Sequence, residues 1–287
     1  MEQYYLAIDI GASSGRHILG HMEDGKMVLE EMYRFPNGMT EENGQKCWNV
    51  KALFEAVLEG MKKCKEAGKI PVSMGIAKEY FIVTGSGKYF RNVIIKPEDS
   101  ICIIELDEKG ENYRIVWGLV NGGRPTSELP THLMNHEVKM IATGGKHRVI
   151  YHAHPTNIIA LTFVLPLEDK VFTRELWEMS TECPVIFPEG VGVVPWMVPG
   201  GRDIAVATSE LMKKYNLAIW AHHGMFASGE DFDLTFGLMH TAEKSAEILV
   251  KMLSMQPNKR QTITPDNFRD LAKDFNVTLP EEFLYEK

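Results

Sequence analysis

The sequence predicts an α/β protein in which a mostly antiparallel sheet is flanked by helices. Apolar runs of strand length recur along the chain, for example at 101–106 and 217–221. Longer stretches carry apolar residues at helical spacing, most clearly 232–255. A short polar turn at 107–110 joins two runs of alternating apolar residues, which favours antiparallel pairing. These three features together predict the α/β class.

The composition and net charge of the 287-residue chain exclude several classes of function. With 44% hydrophobic and 24% charged residues, the composition is that of a soluble globular protein with a substantial core. A net charge of −8 argues against general nucleic-acid binding, because no excess of basic residues is available to displace counterions from phosphates. No apolar run reaches the roughly 20 residues of a membrane helix, and we recognise no signal peptide. The four cysteines lack metal-finger spacing, so we expect free thiols and a cytoplasmic enzyme.

The first part of the chain combines short strands with one helix. Strands are predicted at 4–10, 17–20, 27–35 and 70–76, a loop at 36–44 and a helix at 50–66. A glycine-rich turn at 11–16 directly follows a strand that carries Asp9. Such a turn can cradle phosphate with backbone N–H groups while the aspartate attends a metal. The same composition is common in plain β-hairpins, so both interpretations stay open.

Motifs in this first part resemble those of a known family. Three of them match the start of a sugar kinase of the actin-like superfamily: Ala-Ile-Asp-Ile-Gly-Ala-Ser-Ser-Gly-Arg at 7–16, Arg-Phe-Pro-Asn-Gly at 34–38, and Trp48. In that family the aspartate–glycine hairpin is the first phosphate-binding element. The resemblance ends near Ile76, and the family's second phosphate loop, adenosine site and catalytic aspartate have no counterpart here. We therefore interpret residues 1–77 as a truncated kinase-like segment, a partial actin-like β-hairpin and helix, and expect no kinase activity.

From Lys78 onward the sequence predicts a second domain, 78–287. Its strands are predicted at 80–84, 101–106, 113–119, 149–154, 183–187, 191–198 and 217–221. Its helices are predicted at 129–143, 156–165, 204–215, 232–255 and 264–275, with a short amphipathic piece at 172–177. Gly144 and Gly145 end the first of these helices.

Two loops of this domain are candidates for anion binding. The run Gly-Ser-Gly-Lys at 85–88 follows a strand, where small residues let backbone amides approach an anion and Ser86 adds a hydroxyl. A plain turn is the alternative for this loop. Thr126 and Ser127 precede a helix whose N-terminus also attracts anions, and Ser127 is predicted to be its N-cap. Glu128 would either complement the helix dipole or face a metal.

Two histidine motifs predict a metal site. His152 and His154 are separated by one residue, and because a strand alternates its faces, both project to the same side. A second apolar strand runs into His222, His223 and Gly224. We predict His223 as the third ligand and expect His222 to point to the opposite face. Three imidazoles suit zinc and are poor ligands for magnesium or calcium.

Zinc with an open coordination position supports two kinds of chemistry. A hydrolase would activate a water molecule, whereas a lyase would use the ion to hold the enediolate left by carbon–carbon cleavage. The lyase also needs one carboxylate that moves a proton. Glu128 is the first candidate for this role, and Glu182 is the second.

From about Tyr80 to the end, the motifs resemble a second family, the class II aldolases that act on sugar phosphates. The matching runs lie at 81–88, 125–130, 152–154, 180–183, 195–200, 223–224 and 241–246. The resemblance implies a class II aldolase-like fold. It also implies that His152, His154 and His223 bind Zn²⁺.

The same resemblance assigns the remaining site residues. It implies that Glu128 is the proton-transfer carboxylate and that Glu182 assists near the aldehyde. It implies that Ser86, Thr126 and Ser127 contact the substrate phosphate. The expected substrate is a small phosphorylated ketose, cleaved to dihydroxyacetone phosphate and an aldehyde, and the expected assembly is a homo-oligomer, a tetramer by resemblance.

One departure from the family pattern concerns its N-terminal part. Family members begin with some seventy residues that carry a Gly-Asn loop gripping phosphate, and the kinase-like segment stands in their place here. This arrangement suggests a fusion of adjacent kinase and aldolase genes. All the predicted zinc ligands lie after Tyr80, so we expect the zinc centre to be retained. Three hypotheses follow: a zinc lyase acting on a phosphorylated ketose, a zinc hydrolase, and a non-catalytic zinc-binding fusion product.

Overall fold

The computed structural model describes residues 4–11, 13–42, 45–66, 75–108 and 110–286. The chain divides into two compact units, Met1–Ser73 and Met74–Lys287. The strand predicted at 70–76 lies, except for its last two residues, outside the described residues. No helix in the described part of the chain combines the length and the hydropathy that crossing a bilayer requires.

The described part of the first unit consists of a three-stranded antiparallel sheet, a separate two-stranded hairpin and one helix. Its elements are β1 (Tyr4–Ile10), β2 (Ser14–Glu23), β3 (Lys26–Pro36), β4 (Met39–Glu42), β5 (Gln45–Trp48) and α1 (Val50–Glu66). Strands β1, β2 and β3 form one antiparallel sheet, and β4 and β5 form a separate hairpin. The prediction of a loop at 36–44 was therefore wrong for β4. Three of its four residues are polar, so it lacks the apolar alternation that signals a strand.

Helix α1 packs closely against β2. Asn49 caps the helix by accepting a hydrogen bond from the amide of Ala52 at 3.0 Å. A Cβ atom at Gly60 would lie 2.2 Å from the ring of His17, so only glycine allows this approach. Leu19 of β2 and Cys64 of α1 are also fully buried.

The second unit contains two sheets. The first is antiparallel, in the order β6 (Tyr80–Thr84), β7 (Ile101–Leu106) and β8 (Tyr113–Gly118). The second consists of β9 (Val149–Ala153), β10 (Gly192–Val194), β11 (Leu217–Trp220) and β12 (Gly224–Gly229). Its order is β10-β11-β12-β9, and only the β10–β11 pair is parallel. The sheets therefore agree with the predicted, mostly antiparallel α/β class.

Eight helices of the second unit belong to its described residues. They are α2 (Pro97–Ser100), α3 (Leu129–Thr143), α4 (Thr156–Leu161), α5 (Asp169–Trp177), α6 (Cys183–Ile186), α7 (Arg202–Met212), α8 (Phe232–Met255) and α9 (Pro265–Phe275). Helix α8 has the bounds that its long apolar stripe predicts. Helix α4 is shorter than predicted, since it ends at Leu161 rather than at Leu165.

Two predicted strands of this unit were wrong in type or length. The segment predicted as a strand at 183–187 forms helix α6, with Pro184 in its first turn. One turn of helix is too short to show helical periodicity in the sequence, and proline is well tolerated at that position. The strand predicted at 191–198 is limited to β10, which ends before Pro195.

The second sheet is buried on both faces, and this determines where the core lies. Leu217 and Ile219 of β11 face a large cluster built with α4, α5, α8 and α9. Ala218 and Trp220 face the opposite cluster, which includes Ile204 of α7. Period-two alternation therefore places apolar side chains on both sides of one strand. The central strands are held rigidly between two layers of helices.

A buried ion pair ties helix α5 to the C-terminal residues. Arg174 and Glu178 are almost completely buried, and the guanidinium donates to Glu178 at 2.7 Å. Arg174 also donates to the main-chain oxygens of Phe283 and Tyr285, each at 2.9 Å. These bonds satisfy carbonyls that would otherwise lose their partner in the interior.

We expect Arg174→Met to lower the free energy of unfolding by about 3–5 kcal/mol, because it leaves a buried carboxylate and two carbonyls without this donor. Urea denaturation measures the change. The matched control is Lys213→Met, which removes an exposed pair with Glu210 and should cost less than about 1 kcal/mol. Equal losses in the two variants would contradict the assigned role of the buried pair.

Candidate metal centre and substrate site

The two histidine motifs meet at one end of the second sheet. His152 lies on β9, opposite Phe226 of β12, and His154 directly follows the strand. His223 lies in the three-residue turn that joins β11 to β12. The structure brings these three histidines together, with their nearest ring nitrogens within 4.8 Å of one another. Among the described residues, they form the one cluster of three or more potential metal-binding side chains.

The turn that carries His223 has a specific backbone conformation. His222 adopts a left-handed conformation with φ of 61°, and the His223 amide donates to the carbonyl of Trp220 at 3.1 Å. At Gly224, a Cβ atom would lie only 2.3 Å from the main-chain oxygen of Ala153. Glycine therefore allows β9 to approach this turn, and that approach brings the two motifs together.

Hydrogen bonding orients the imidazole of His152 for metal binding. Its Nδ1 lies 3.1 Å from the carbonyl oxygen of Met225. Because a carbonyl can only accept, Nδ1 carries the proton and Nε2 presents its lone pair. Nε2 lies 3.3 Å from Nε2 of His223. Two nitrogens that each bind a tetrahedral zinc at about 2.0–2.1 Å are also separated by about 3.3 Å, so the spacing fits a shared ion.

The surroundings of His152 and His223 favour the neutral imidazole that metal binding requires. Burial, assisted by the nearby His132, lowers the pKa of His152 to about 3. Burial also lowers the pKa of His223, and His154 contributes to this shift. The His152 ring stacks on Phe226, with ring centroids 4.2 Å apart. A set of three neutral nitrogen donors suits zinc and similar transition metals rather than magnesium or calcium.

Glu128 is a buried carboxyl group at the start of helix α3. It is only 7% exposed, and it accepts a hydrogen bond from the amide of Gly200 at 3.2 Å. Burial raises the pKa of Glu128, although the Gly200 amide and the nearby His154 oppose the rise. A carboxyl group with a raised pKa in a partly dry site can hold and release a proton. Sequence reasoning did not find Gly200, although it belongs to the 195–200 motif.

The prediction of Ser127 as the N-cap of α3 was wrong. The N-cap position is occupied by Glu128, whose side chain makes no capping hydrogen bond. The hydroxyl of Thr126 accepts a hydrogen bond from the Glu128 amide at 3.3 Å. The N-cap thus lies one residue later than predicted. The hydroxyl of Ser127 is thus not used as a helix cap.

The predicted phosphate-binding residues lie on two paired loops. The Ser86 amide donates to the carbonyl of Arg124 at 2.8 Å, and the Thr126 amide donates to that of Thr84 at 2.9 Å. Gly85 and Pro125 form a bridge between the same loops. This pairing brings Ser86 close to the segment that contains Thr126, Ser127 and Glu128. The amide of Ser86 is engaged in the pairing, so its hydroxyl is the group left to meet an anion.

The described contacts of Glu182 are separate from those of the three histidines and Glu128. It is exposed at the N-cap of α6 and accepts a hydrogen bond from the hydroxyl of Ser180. That bond is the main reason why the pKa of Glu182 is lowered. None of the contacts described for Glu182 reaches the three histidines or Glu128, and its role near the aldehyde stays a prediction.

A family comparison defines the class of protein that has this fold and site. Residues 65–250 match the family described as class II aldolase and adducin N-terminal domain. A solved structure of a sugar-phosphate aldolase from Thermotoga maritima superposes with a TM-score of 0.55 and 30% identity, covering 63% of this chain and 74% of that one. The fold is thus that of a class II aldolase, a lyase of a generally metal-dependent family.

Comparison with individual relatives shows which group of the family the chain resembles. The chain is 62% identical over 203 residues to rhamnulose-1-phosphate aldolase of Mannheimia succiniciproducens, which covers 71% of this chain and 74% of the relative. It is 55% identical over 209 residues to the enzyme of the same name from Pectobacterium atrosepticum, covering 73% and 76%. The chain therefore belongs to the class II aldolase family, within the group of rhamnulose-1-phosphate aldolases.

We expect the purified protein to hold about one divalent transition-metal ion per chain. The variant His223→Ala should lose most of this metal, because only two of the three imidazole ligands remain. Metal analysis after dialysis measures the content. His240→Ala is the control, since His240 is exposed on α8 and stacks only on Phe236 among its described ring contacts. Metal retention by His223→Ala would contradict this ligand set.

Proposed function

We propose that the chain cleaves L-rhamnulose 1-phosphate to dihydroxyacetone phosphate and L-lactaldehyde, with Zn²⁺ held by His152, His154 and His223. The observation that carries this proposal is the convergence of three imidazoles beside a buried carboxyl group, Glu128, in a chain of this family. Zinc bound there supplies a Lewis acid that withdraws electron density from the ketose carbonyl. The chain's own residues supply orientation and proton transfer.

Cleavage breaks the bond between C3 and C4 of the ketose. The electron pair stays with C3 as an enediolate, and the C4 hydroxyl loses its proton to solvent as it becomes the aldehyde carbonyl. C3 then takes up one proton, so the two products together have the composition of the substrate. Glu128 supplies this last proton in cleavage and removes it in the reverse direction. Its raised pKa favours the protonated form that the cleavage direction needs.

The phosphate end of the substrate is assigned to hydroxyl groups. Ser86, Thr126 and Ser127 lie on the paired loops that lead into Glu128, so an anion bound there would orient the substrate toward the carboxyl group. Glu182 is assigned to the aldehyde end, and this assignment rests on the family resemblance. The proposed assembly is a homotetramer, also from the resemblance.

Residues 1–77 are assigned to a fragment of a sugar kinase similar to rhamnulokinase, and residues 78–287 to the aldolase domain. The turn after β1 supports the first assignment, because the Gly11 amide donates to the carbonyl of Ser14 at 3.0 Å in a compact hairpin. Asp9, which a kinase would keep available for a metal, is paired with Arg16 at 2.9 Å.

We expect Glu128→Gln to reduce turnover by about 10²–10⁴-fold, because the amide cannot transfer the proton. A dehydrogenase-coupled assay for dihydroxyacetone phosphate measures the rate, and metal analysis should show unchanged zinc. Glu137→Gln, about two and a half turns further along α3, is the control and should keep the wild-type rate. A zinc-loaded wild-type chain without turnover would contradict the lyase function and favour the non-catalytic alternative, whereas an active Glu128→Gln variant would rule out Glu128 as the proton donor.

A further inference from the structure

Helix α4 links the segment that carries His152 and His154 to the turn that carries His223. Its first residue, Thr156, comes two positions after His154. At its other end, the C-cap residue Thr162 contacts His222, the neighbour of His223 in the turn between β11 and β12. The six-residue helix thus connects the strand that carries one pair of histidines to the turn that carries the third.

The N-terminal end of α4 is held by a carboxylate from another helix. Its N-cap is Pro155, whose side chain cannot accept a hydrogen bond from the first-turn amides. Glu243 of α8 takes this role. Its Oε1 accepts from the backbone amide of Asn157 at 3.0 Å and from the side-chain amide at 2.8 Å, and its Oε2 accepts from the Ile158 amide at 3.0 Å. A negative charge also suits a helix N-terminus.

The C-terminal end of α4 is joined to the turn by one hydroxyl group. Thr162 is 4% exposed, and its hydroxyl donates to the carbonyl of Ile159 at 2.7 Å. A hydroxyl has one hydrogen, so it acts as acceptor toward His222. It accepts from the His222 amide at 3.0 Å and lies 3.1 Å from Nδ1 of the same residue. These two bonds stabilise the left-handed conformation of His222 that sets the direction of His223.

We propose that Glu243 and Thr162 are positioning residues that act through α4 to fix His152 and His154 relative to His223. The proposal rests on the metal site described under the proposed function and adds two residues that do not touch the ion. The position of Glu243 is fixed by the packing of α8, because its neighbours Ala242 and Ser245 are fully buried. Side chains that orient metal ligands contribute to metal affinity even when they make no bond to the metal.

The first test is the variant Glu243→Gln. The glutamine has nearly the same shape, but its NH₂ group must face an N–H donor of α4, so at least one hydrogen bond is lost. We expect zinc to bind about ten-fold or more weakly, as measured by competition with a chromogenic chelator. The matched control is Glu247→Gln on the same helix, whose carboxylate pairs only with Lys251 among its described ion pairs. It should bind zinc with wild-type affinity.

The second test concerns Thr162. Thr162→Val keeps the shape of the side chain and removes the acceptor, whereas Thr162→Ser keeps the hydroxyl. We expect the valine variant to lose zinc affinity to a similar degree and the serine variant to recover it. The visible absorption of bound Co²⁺ should also change in the valine variant, because a displaced His223 alters the ligand field. Should Glu243→Gln fail to fold, the Thr162 pair gives the same comparison.

The outcomes separate this inference from the proposed function. Lower thermal stability of Glu243→Gln and Thr162→Val, with wild-type zinc affinity and an unchanged Co²⁺ spectrum, would overturn the positioning role and leave the metal site intact. A wild-type chain that binds no zinc would overturn the proposed function, and the inference with it. Weakened zinc binding in both variants, with normal binding in Glu247→Gln and Thr162→Ser, supports the inference.

Discussion

The histidine cluster depends on the close approach of β9 to the start of β12. A Cβ atom at Gly224 would lie 2.3 Å from the oxygen of Ala153 and 3.0 Å from the ring of His154. Any larger residue would push β9 outward, and His152 and His154 would move with it, away from His223. Because Gly224 has no side chain, β9 can lie close to the turn. This close approach sets the distance from His152 and His154 to His223. The glycine matters here because of this contact, and the residue is not in a left-handed conformation.

The sheet beneath the cluster gives this arrangement its rigidity. Trp220 is buried at the end of β11, and its indole N–H donates to the hydroxyl of Thr208 at 2.7 Å. Phe226 is fully buried under the His152 ring, and His132 of α3 packs edge-on against the same phenyl group. Because His152 and His223 pack against buried aromatic side chains, little reorganisation would be needed for a metal to bind. The burial that provides this support is also what lowers the pKa of His152.

Sequence patterns predicted the parts of the structure that repeat or that carry strong local signals. Helix α8 has a long apolar stripe, and the motifs around His152 and His223 each follow an apolar strand. Short elements were missed, because the four-residue α6 and β4 contain too few residues to show a period. The capping of α4 by Glu243 was also invisible. Its donors lie 85 and 86 residues away in sequence, and the local N-cap is a proline.

The proposed metal site and the proposed phosphate site are built differently in the second unit. His152 and Glu128 are held by packing and by hydrogen bonds between their side chains and the backbone. On the loop after β6, the amides of Gly85, Ser86 and Lys88 already donate to carbonyl oxygens, so few backbone donors are left for an anion. Hydroxyl groups alone form weaker contacts with phosphate than charged donors do. Binding energy from a remote phosphate helps to hold the reacting carbon atoms in place. In this chain, the proposed metal site and the proposed proton-transfer group are therefore more completely formed than the residues proposed to orient the substrate.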